Sequence, residues 1–238
     1  MDKQKIIFRD LGKLEYQAAW DYQEKLLQEN VKKKSEAADH KSAGIPNQFS
    51  TQHHLLFTEH PPVYTLGKSG NKENVLLGDI ELAEKNIQFF NTNRGGDITF
   101  HGPGQIVGYP ILDLEKFYTD IGRYLRNLEE IIILTLKEYN INGERSSGET
   151  GVWIEPGVPG KERKICAIGV RCSRWITMHG FAFNVNTDLS YFNHIIPCGI
   201  INKQVTSLEK ELGYKLNLKE VKEKVKNNFQ IVFGAELV

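Results

Sequence analysis

Apolar residues recur along this chain in two rhythms, one of three to four residues and one closer to two, separated by glycine- and proline-bearing turns. A short strand is predicted at Ile6 to Phe8. A helix follows from about Leu14 to Glu29, with Leu14, Ala18, Tyr22 and Leu26 on one face and Trp20 flanking it. Residues 30–48 (NVKKKSEAADHKSAGIPNQ) then lose all apolar periodicity and read as an exposed, lysine-rich insertion. Residues 51–58 (TQHHLLFT) predict a buried strand that ends at Glu59-His60-Pro61-Pro62, and Val63 to Leu66 resumes a β-like run. Between Asp120 and Tyr139 a long helix places Tyr124, Leu128, Ile131, Ile132 and Leu136 along one stripe. Strand patterns follow at Gly151 to Ile154, Ile165 to Cys172 and Phe181 to Asn184. A last helix carries Leu218, Val221, Val225 and Phe229. Strands and helices without regular βαβ alternation predict a single α/β or α+β domain on a mostly antiparallel or mixed sheet.

Composition narrows the class. At 238 residues, 40% hydrophobic and 25% charged, the chain has the make-up of an ordinary globular protein. Thirty basic and thirty acidic residues cancel, so the net field favours neither nucleic acid nor a membrane surface. No apolar run approaches the ~18 residues of a membrane span, and the opening MDKQKIIFRD lacks the core of a signal peptide. Cys166, Cys172 and Cys198 are an odd number at spacings unlike a disulfide framework, which predicts a reducing, cytoplasmic setting.

Chemistry concentrates in three places. Residues 94–105 read Arg94-Gly95-Gly96-Asp97-Ile98-Thr99-Phe100-His101-Gly102-Pro103-Gly104-Gln105, and they lead straight into the apolar run from Ile106 to Leu114. Glycines at this density let backbone come close to a partner; read alone, the segment is equally a glycine-rich hairpin of two strands. Cys198 stands in Ile-Ile-Pro-Cys-Gly-Ile, where proline and glycine display the thiol on a turn, whereas Cys166 and Cys172 lie inside a strand and pack. A nucleophilic thiol needs a histidine or a positive charge to ionise it. His101, His179 and His194 are the histidines to consider, and Lys164 is the lysine. By alternation Lys164 shares a strand face with Cys166 and Ile168, where it could support a thiolate and exchange protons; an exposed strand end is the other reading. No Cys or His spacing matches a zinc site, and no phosphate-binding P-loop is present. Lys161, Arg163, Lys164, Arg171 and Arg174 crowd one region against a single nearby acid, Glu162, a local imbalance that makes its exposed members candidates for docking a partner.

Together these motifs resemble the lipoyl(octanoyl) transferases. The 94–105 segment is similar to that family's signature, and Glu59-His60-Pro61-Pro62-Val63-Tyr64-Thr65-Leu66-Gly67 precedes it. Gly151-Val152-Trp153, Lys164-Ile165-Cys166-Ala167-Ile168-Gly169, His179-Gly180-Phe181-Ala182 and Pro197-Cys198-Gly199 follow in the family's order. The resemblance implies the mixed-sheet fold of biotin protein ligases and lipoate-protein ligases. It implies transfer of octanoyl from acyl carrier protein, where phosphopantetheine carries it, to a lysine of a lipoyl domain. The acceptors would be the lipoyl domains of 2-oxoacid dehydrogenases and the glycine cleavage H protein. It also implies Cys198 as the thioester carrier and Lys164 as its partner. Arg94 through His101, Ala167, Ile168, Gly169, Gly180, Phe181 and Ala182 would form the acyl site, with no ATP, metal, nucleic acid or membrane involved. Rival readings are an ATP-dependent lipoate-protein ligase, an amidotransferase acting between lipoyl-bearing proteins, and a non-catalytic acyl-binding protein. The 30–48 segment falls outside the family pattern.

Overall fold

The computed structural model describes residues 3–43, 50–196 and 204–238. In chain order these form β1 (Gln4–Lys13), α1 (Tyr16–Ser42), β2 (His53–Glu59), β3 (Val63–Leu66), α2 (Asp79–Glu84), β4 (Gln88–Asn91), β5 (Ile98–His101), β6 (Gln105–Ile111) and α3 (Ile121–Lys137). The chain continues through β7 (Gly143–Glu144), β8 (Val152–Ile154), β9 (Arg163–Ser173), β10 (Ile176–Asn184), β11 (Gln204–Val205), α4 (Leu208–Leu212), α5 (Leu218–Phe233) and β12 (Ala235–Leu237). The large sheet runs β12-β1-β2-β6-β10-β9-β8-β7, with β11 also paired to β9. Strands β12, β1 and β2 are mutually parallel and the rest of that path is antiparallel, so the predicted mixed sheet is present. Strands β4, β3 and β5 form a second, three-stranded sheet.

Alternation along the central strands sorts side chains into two cores. Leu55, Phe57, Ile106, Phe181 and Phe183 point to one face, where α3 and α5 cover them with Leu128, Ile131, Ile132, Val221, Val225 and Phe229. Leu56, Val107, Tyr109, Ile176 and Met178 point to the other, beneath Ala19, Leu26 and Leu27 of α1. Because both faces are covered, β2 is buried over six successive residues and reads as a continuous apolar run. Helix α3 starts where the Asp120 carboxylate accepts the Arg123 N–H, and α5 stops at Gly234 in the left-handed region (φ 59°).

Three expectations change. The buried stripe of α1 is Tyr16, Ala19, Gln23, Leu26, Leu27 and Asn30, while Ala18 is exposed. Residues 30–42 are no insertion loop; they extend α1. Asn30 exchanges two 2.8 Å hydrogen bonds with the Gln52 backbone, and Lys34 Nζ contacts Asp113, Glu115 and the Arg174 carbonyl at 2.8–3.0 Å. Strands β5 and β6 are no hairpin either, because β5 pairs with β3 in the small sheet and β6 with β2 and β10 in the large one. Gly102-Pro103-Gly104 carries the chain between them. Gly104 has φ 79°, and a Cβ there would sit 2.4 Å from the Asn186 carbonyl oxygen, so only glycine fits this crossover.

Candidate active site

A cavity of about 300 Å³ opens on the α1 face of the large sheet, where the small sheet meets it. That volume is at the lower end of the range usual for small-molecule sites, about 300–1,000 Å³, and suits a slim ligand. Tyr16 of α1 lines one side. Arg94, Gly96, Asp97, Ile98, Thr99 and His101 line another, and β9 and β10 supply Lys164, Ala167, Ile168, Gly169, His179, Gly180, Phe181 and Ala182. Of the predicted acyl-site residues, Gly95 and Phe100 are not among those lining it. Gly95 instead donates its N–H to the Val170 carbonyl (2.9 Å), docking the glycine loop on β9. Phe100 turns into the small sheet's core and stacks on Tyr191 with ring centroids 4.6 Å apart.

Arg94 organises its loop. It is buried, and its guanidinium donates to the carbonyls of Gly95 (3.0 Å), Thr65 (2.5 Å) and Asp97 (2.8 Å) and to Thr65 Oγ1 (3.0 Å). The Asp97 carboxylate accepts from its neighbour Ile98 N–H and from Asn74 Nδ2. Close approach of this loop to β9 needs Gly169, where a Cβ would lie 2.7 Å from the Gly95 carbonyl oxygen and 3.1–3.2 Å from the Arg94 side chain.

The histidines here are neutral. His101 is buried, and burial with the neighbouring His60 holds its pKa well below the usual value. Burial likewise brings His60 down to about 4, and burial with the charges of Arg94 and Arg171 brings His179 to about 3. Tyr16, stacked on His101 at 5.9 Å, is pushed up to about 12 by burial. Hydrogen-bond bookkeeping fixes the His101 tautomer. Gln105 Nε2 donates to the Phe100 carbonyl (3.1 Å) and Asn184 Oδ1 (2.8 Å), so Gln105 Oε1 accepts from His101 Nδ1–H (2.9 Å). His101 Nε2 then accepts from Thr65 Oγ1–H (3.2 Å). His179 has φ 57° within β10; its N–H turns to Gln23 Oε1 (2.9 Å) and its Nε2 faces Asn93 Oδ1 (2.7 Å). No described histidine is therefore poised as a charged partner in the cavity.

Lys164 does enter the cavity, with its Nζ 4.5 Å from the centre of the Trp153 ring and its stem against Gly151. Simple alternation does not hold around it. A register shift between β8 and β9 leaves both Ile165 and Cys166 fully buried, and Cys166 belongs to the main core. Burial raises the thiol pKa of Cys166, and to a lesser degree that of Cys172, so neither is a ready nucleophile. Cys198 lies outside the described residues, as does the rest of Pro197-Cys198-Gly199. Its described flanks reach the site: Ile196 N–H donates to the Asn74 carbonyl (2.8 Å), Phe192 and Val205 line the cavity, and Val205 pairs with Lys164.

Two of the five basic residues read from residues 161–174 are engaged by carboxylates, while Lys161 and Arg174 are exposed. Arg163 is bound by Glu155 and Glu211, and Arg171 by Glu24 across the fold. Gln105, Tyr109, Tyr16 and Asn184 also line the cavity but were not among the expected acyl-site residues. Gln105 closes the glycine signature and carried the only local hint, a polar residue leading an apolar strand. Among the described residues no group of three or more His, Cys, Asp or Glu could hold a metal ion, and no helix is long and apolar enough to cross a membrane.

Residues 15–230 match the lipoyl protein ligase A/B catalytic domain. An octanoyltransferase of Christiangramia forsetii is 58% identical over 230 residues, covering 96% of each chain, and one of Flavobacterium psychrophilum is 57% identical over 98% of each. Among solved structures, the bi-partite lipoate protein ligase of Thermoplasma acidophilum superposes with a TM-score of 0.66 at 16% identity, covering 100% of this chain and 86% of that one. Biotin protein ligase of Aquifex aeolicus, in complex with biotin and ATP, gives 0.52 at 14% identity, covering 96% and 70%. These two likenesses concern the fold, and the sequence relatives carry the family. The chain belongs to the lipoyl protein ligase A/B catalytic domain family and, within it, to the octanoyltransferases, which are acyltransferases.

Proposed function

We propose that this enzyme takes octanoyl from acyl carrier protein onto Cys198 and passes it to the lysine of a lipoyl domain. The observation that carries the reading is convergence: Lys164, the Arg94–His101 wall and the two glycine-bearing stretches of β9 and β10 share one cavity. Both described flanks of the Cys198 segment reach the same place.

In the first half-reaction the Cys198 thiolate attacks the carrier's thioester carbonyl. The tetrahedral intermediate collapses, the C–S bond to phosphopantetheine breaks, and the leaving thiolate takes a proton from the Lys164 ammonium. In the second, the acceptor lysine's ε-amine attacks the enzyme thioester; the C–S bond to Cys198 breaks and neutral Lys164 takes the excess proton. Backbone N–H groups of the glycine-rich wall are suited to hold each oxyanion. Burial of the acyl chain stabilises binding by ~0.8 kcal/mol per methylene, which makes the lining of Ile98, Val107, Ile168 and Ala182 the main source of acyl recognition. Exchange of a thioester for an amide runs downhill, so neither ATP nor a metal enters the scheme. Acyl carrier protein and lipoyl domains, including the glycine cleavage H protein, are the partners in a cytoplasmic reaction.

The test is an incubation with octanoyl-carrier protein in the absence of ATP, read by intact mass. A gain of ~126 Da that disappears in Cys198→Ser but persists in Cys166→Ser and Cys172→Ser is expected. Acylation that requires ATP would overturn the reading in favour of a ligase.

A further inference from the structure

Lys164 stands at a seam in the large sheet. Strand β10 runs beside β9 as far as the Phe183–Cys166 pair and then ends at Asn184. Strand β11 takes over, in parallel, at Arg163 and Lys164. On the other side of β9 the register shift against β8 falls at the same level. Lys164 is paired with Trp153 of β8 on one side and Val205 of β11 on the other, so the placement of the short β11 helps set where the lysine leaves the backbone.

A directed chain of buried hydrogen bonds closes this seam. Arg94 donates to Thr65 Oγ1, Thr65 to His101 Nε2, His101 Nδ1–H to Gln105 Oε1, Gln105 Nε2 to Asn184 Oδ1, and Asn184 Nδ2 to the Thr206 carbonyl (3.1 Å). Thr206 in turn donates its N–H to the Lys164 carbonyl (2.9 Å), and its hydroxyl donates to Glu211, the partner of Arg163. Each amide in the chain has both ends committed, so Asn184 cannot flip without stranding a donor against a donor. Asn184 spans from β10 to the residue just beyond β11, and Gln105 holds it from β6.

We propose that Asn184, held in orientation by Gln105, is a positioning residue for Lys164, fixing the strand seam from which the lysine enters the cavity. This rests on the proposed proton-transfer role of Lys164. Although Asn184 lies at the cavity wall, both ends of its side-chain amide are committed to Gln105 and the Thr206 carbonyl, so it acts through the Thr206–Lys164 rung.

The full-length enzyme is assayed for octanoyl transfer from carrier protein to a lipoyl domain as wild type, Asn184→Ala, Lys164→Ala and the double variant. Lys164 is also followed by competitive labelling with acetic anhydride across pH, read by peptide mass. Asn184→Ala is expected to lower kcat between about tenfold and a hundredfold with little change in KM, and to cause no further loss in the Lys164→Ala background. The labelling profile of Lys164 should move by about half a pH unit or more while that of the remote Lys222 stays in place. Asn184→Asp keeps the acceptor for Gln105 but loses the donor to Thr206, and should behave alike; it serves if the alanine variant does not fold. Equal fold-losses from Asn184→Ala with and without Lys164, or an unmoved Lys164 profile in both Asn184 variants, would overturn the inference. A wild-type rate in Lys164→Ala would instead sink the proton-transfer reading, while the labelling still reports on positioning.

Discussion

Acidification to pH 5 should cost about 6 kcal/mol of folding stability through three buried histidines alone, a large share of the ~5–15 kcal/mol of an average domain. His53 and His60 are each brought down to about 4 in the folded chain and His179 to about 3, with burial as the largest cause in all three. Unfolded, each titrates near 6.5. Their stability contribution is therefore fully present above pH 6.5, where both states are neutral. It is lost as pH falls towards 4, because the unfolded chain takes up protons that the folded chain refuses. At pH 5 a group at 4 folded and 6.5 unfolded has given up about 2 kcal/mol, and three such groups give the sum. Urea unfolding at pH 7.5, 6.5, 5.5 and 5.0, followed by circular dichroism, measures this directly. His60→Gln should shrink the loss between pH 7.5 and 5.0 by about 2 kcal/mol. A midpoint that is flat down to pH 5, with instability appearing only below 4, would refute the reasoning.

Two further outcomes follow from the geometry. Lys34→Met removes the cation paired with Asp113, whose side chain is 2% exposed and keeps only Thr51 Oγ1 and the Glu115 N–H as donors among the described residues, and should destabilise by about 3 kcal/mol, seen as a fall of roughly 6–12 °C in Tm; a fall under 2 °C would mean the pair is irrelevant. Gly169→Ala forces the Gly95 carbonyl away from β9 and should slow acyl loading of Cys198 at least about tenfold while costing only about 1–3 kcal/mol in urea unfolding; unchanged loading would show that loop contact to be dispensable.

The sequence was legible wherever burial was apolar. The α3 stripe, the strands β2, β3 and β9 and the second half of β10 fall where periodicity puts them, because hydrophobic faces decide their own orientation; β10 itself begins earlier, at Ile176. Helix α1 was misread because two of its inward positions, Gln23 and Asn30, are polar residues with single structural partners, which a hydrophobicity pattern counts as surface. The same blindness turned residues 30–42 into a loop, since Lys34 reveals its buried role only when Asp113 arrives from seventy-nine positions away. Strand β12 is three residues long and exists by pairing with β1, so local sequence could not announce it. At the site, the wall residues and Lys164 were named from ordered motifs. Tyr16, Gln105 and Asn184 were missed because their importance lies in contacts between distant segments. Within the basic cluster at 161–174 the partners of Arg163 and Arg171, which are Glu155, Glu211 and Glu24, are likewise invisible to local sequence.

The extension of α1 limits which walls of the cavity can move. Tyr16, the first residue of the helix, lines the cavity, and eighteen residues on, Lys34 clamps the same rod to Asp113, Glu115 and the Arg174 carbonyl beside the start of β10. A rigid bar fastened at both ends cannot swing aside as a lid. Any opening of the cavity therefore has to come from the other segments that line it, which include Lys164, Glu149, Phe192 and Val205.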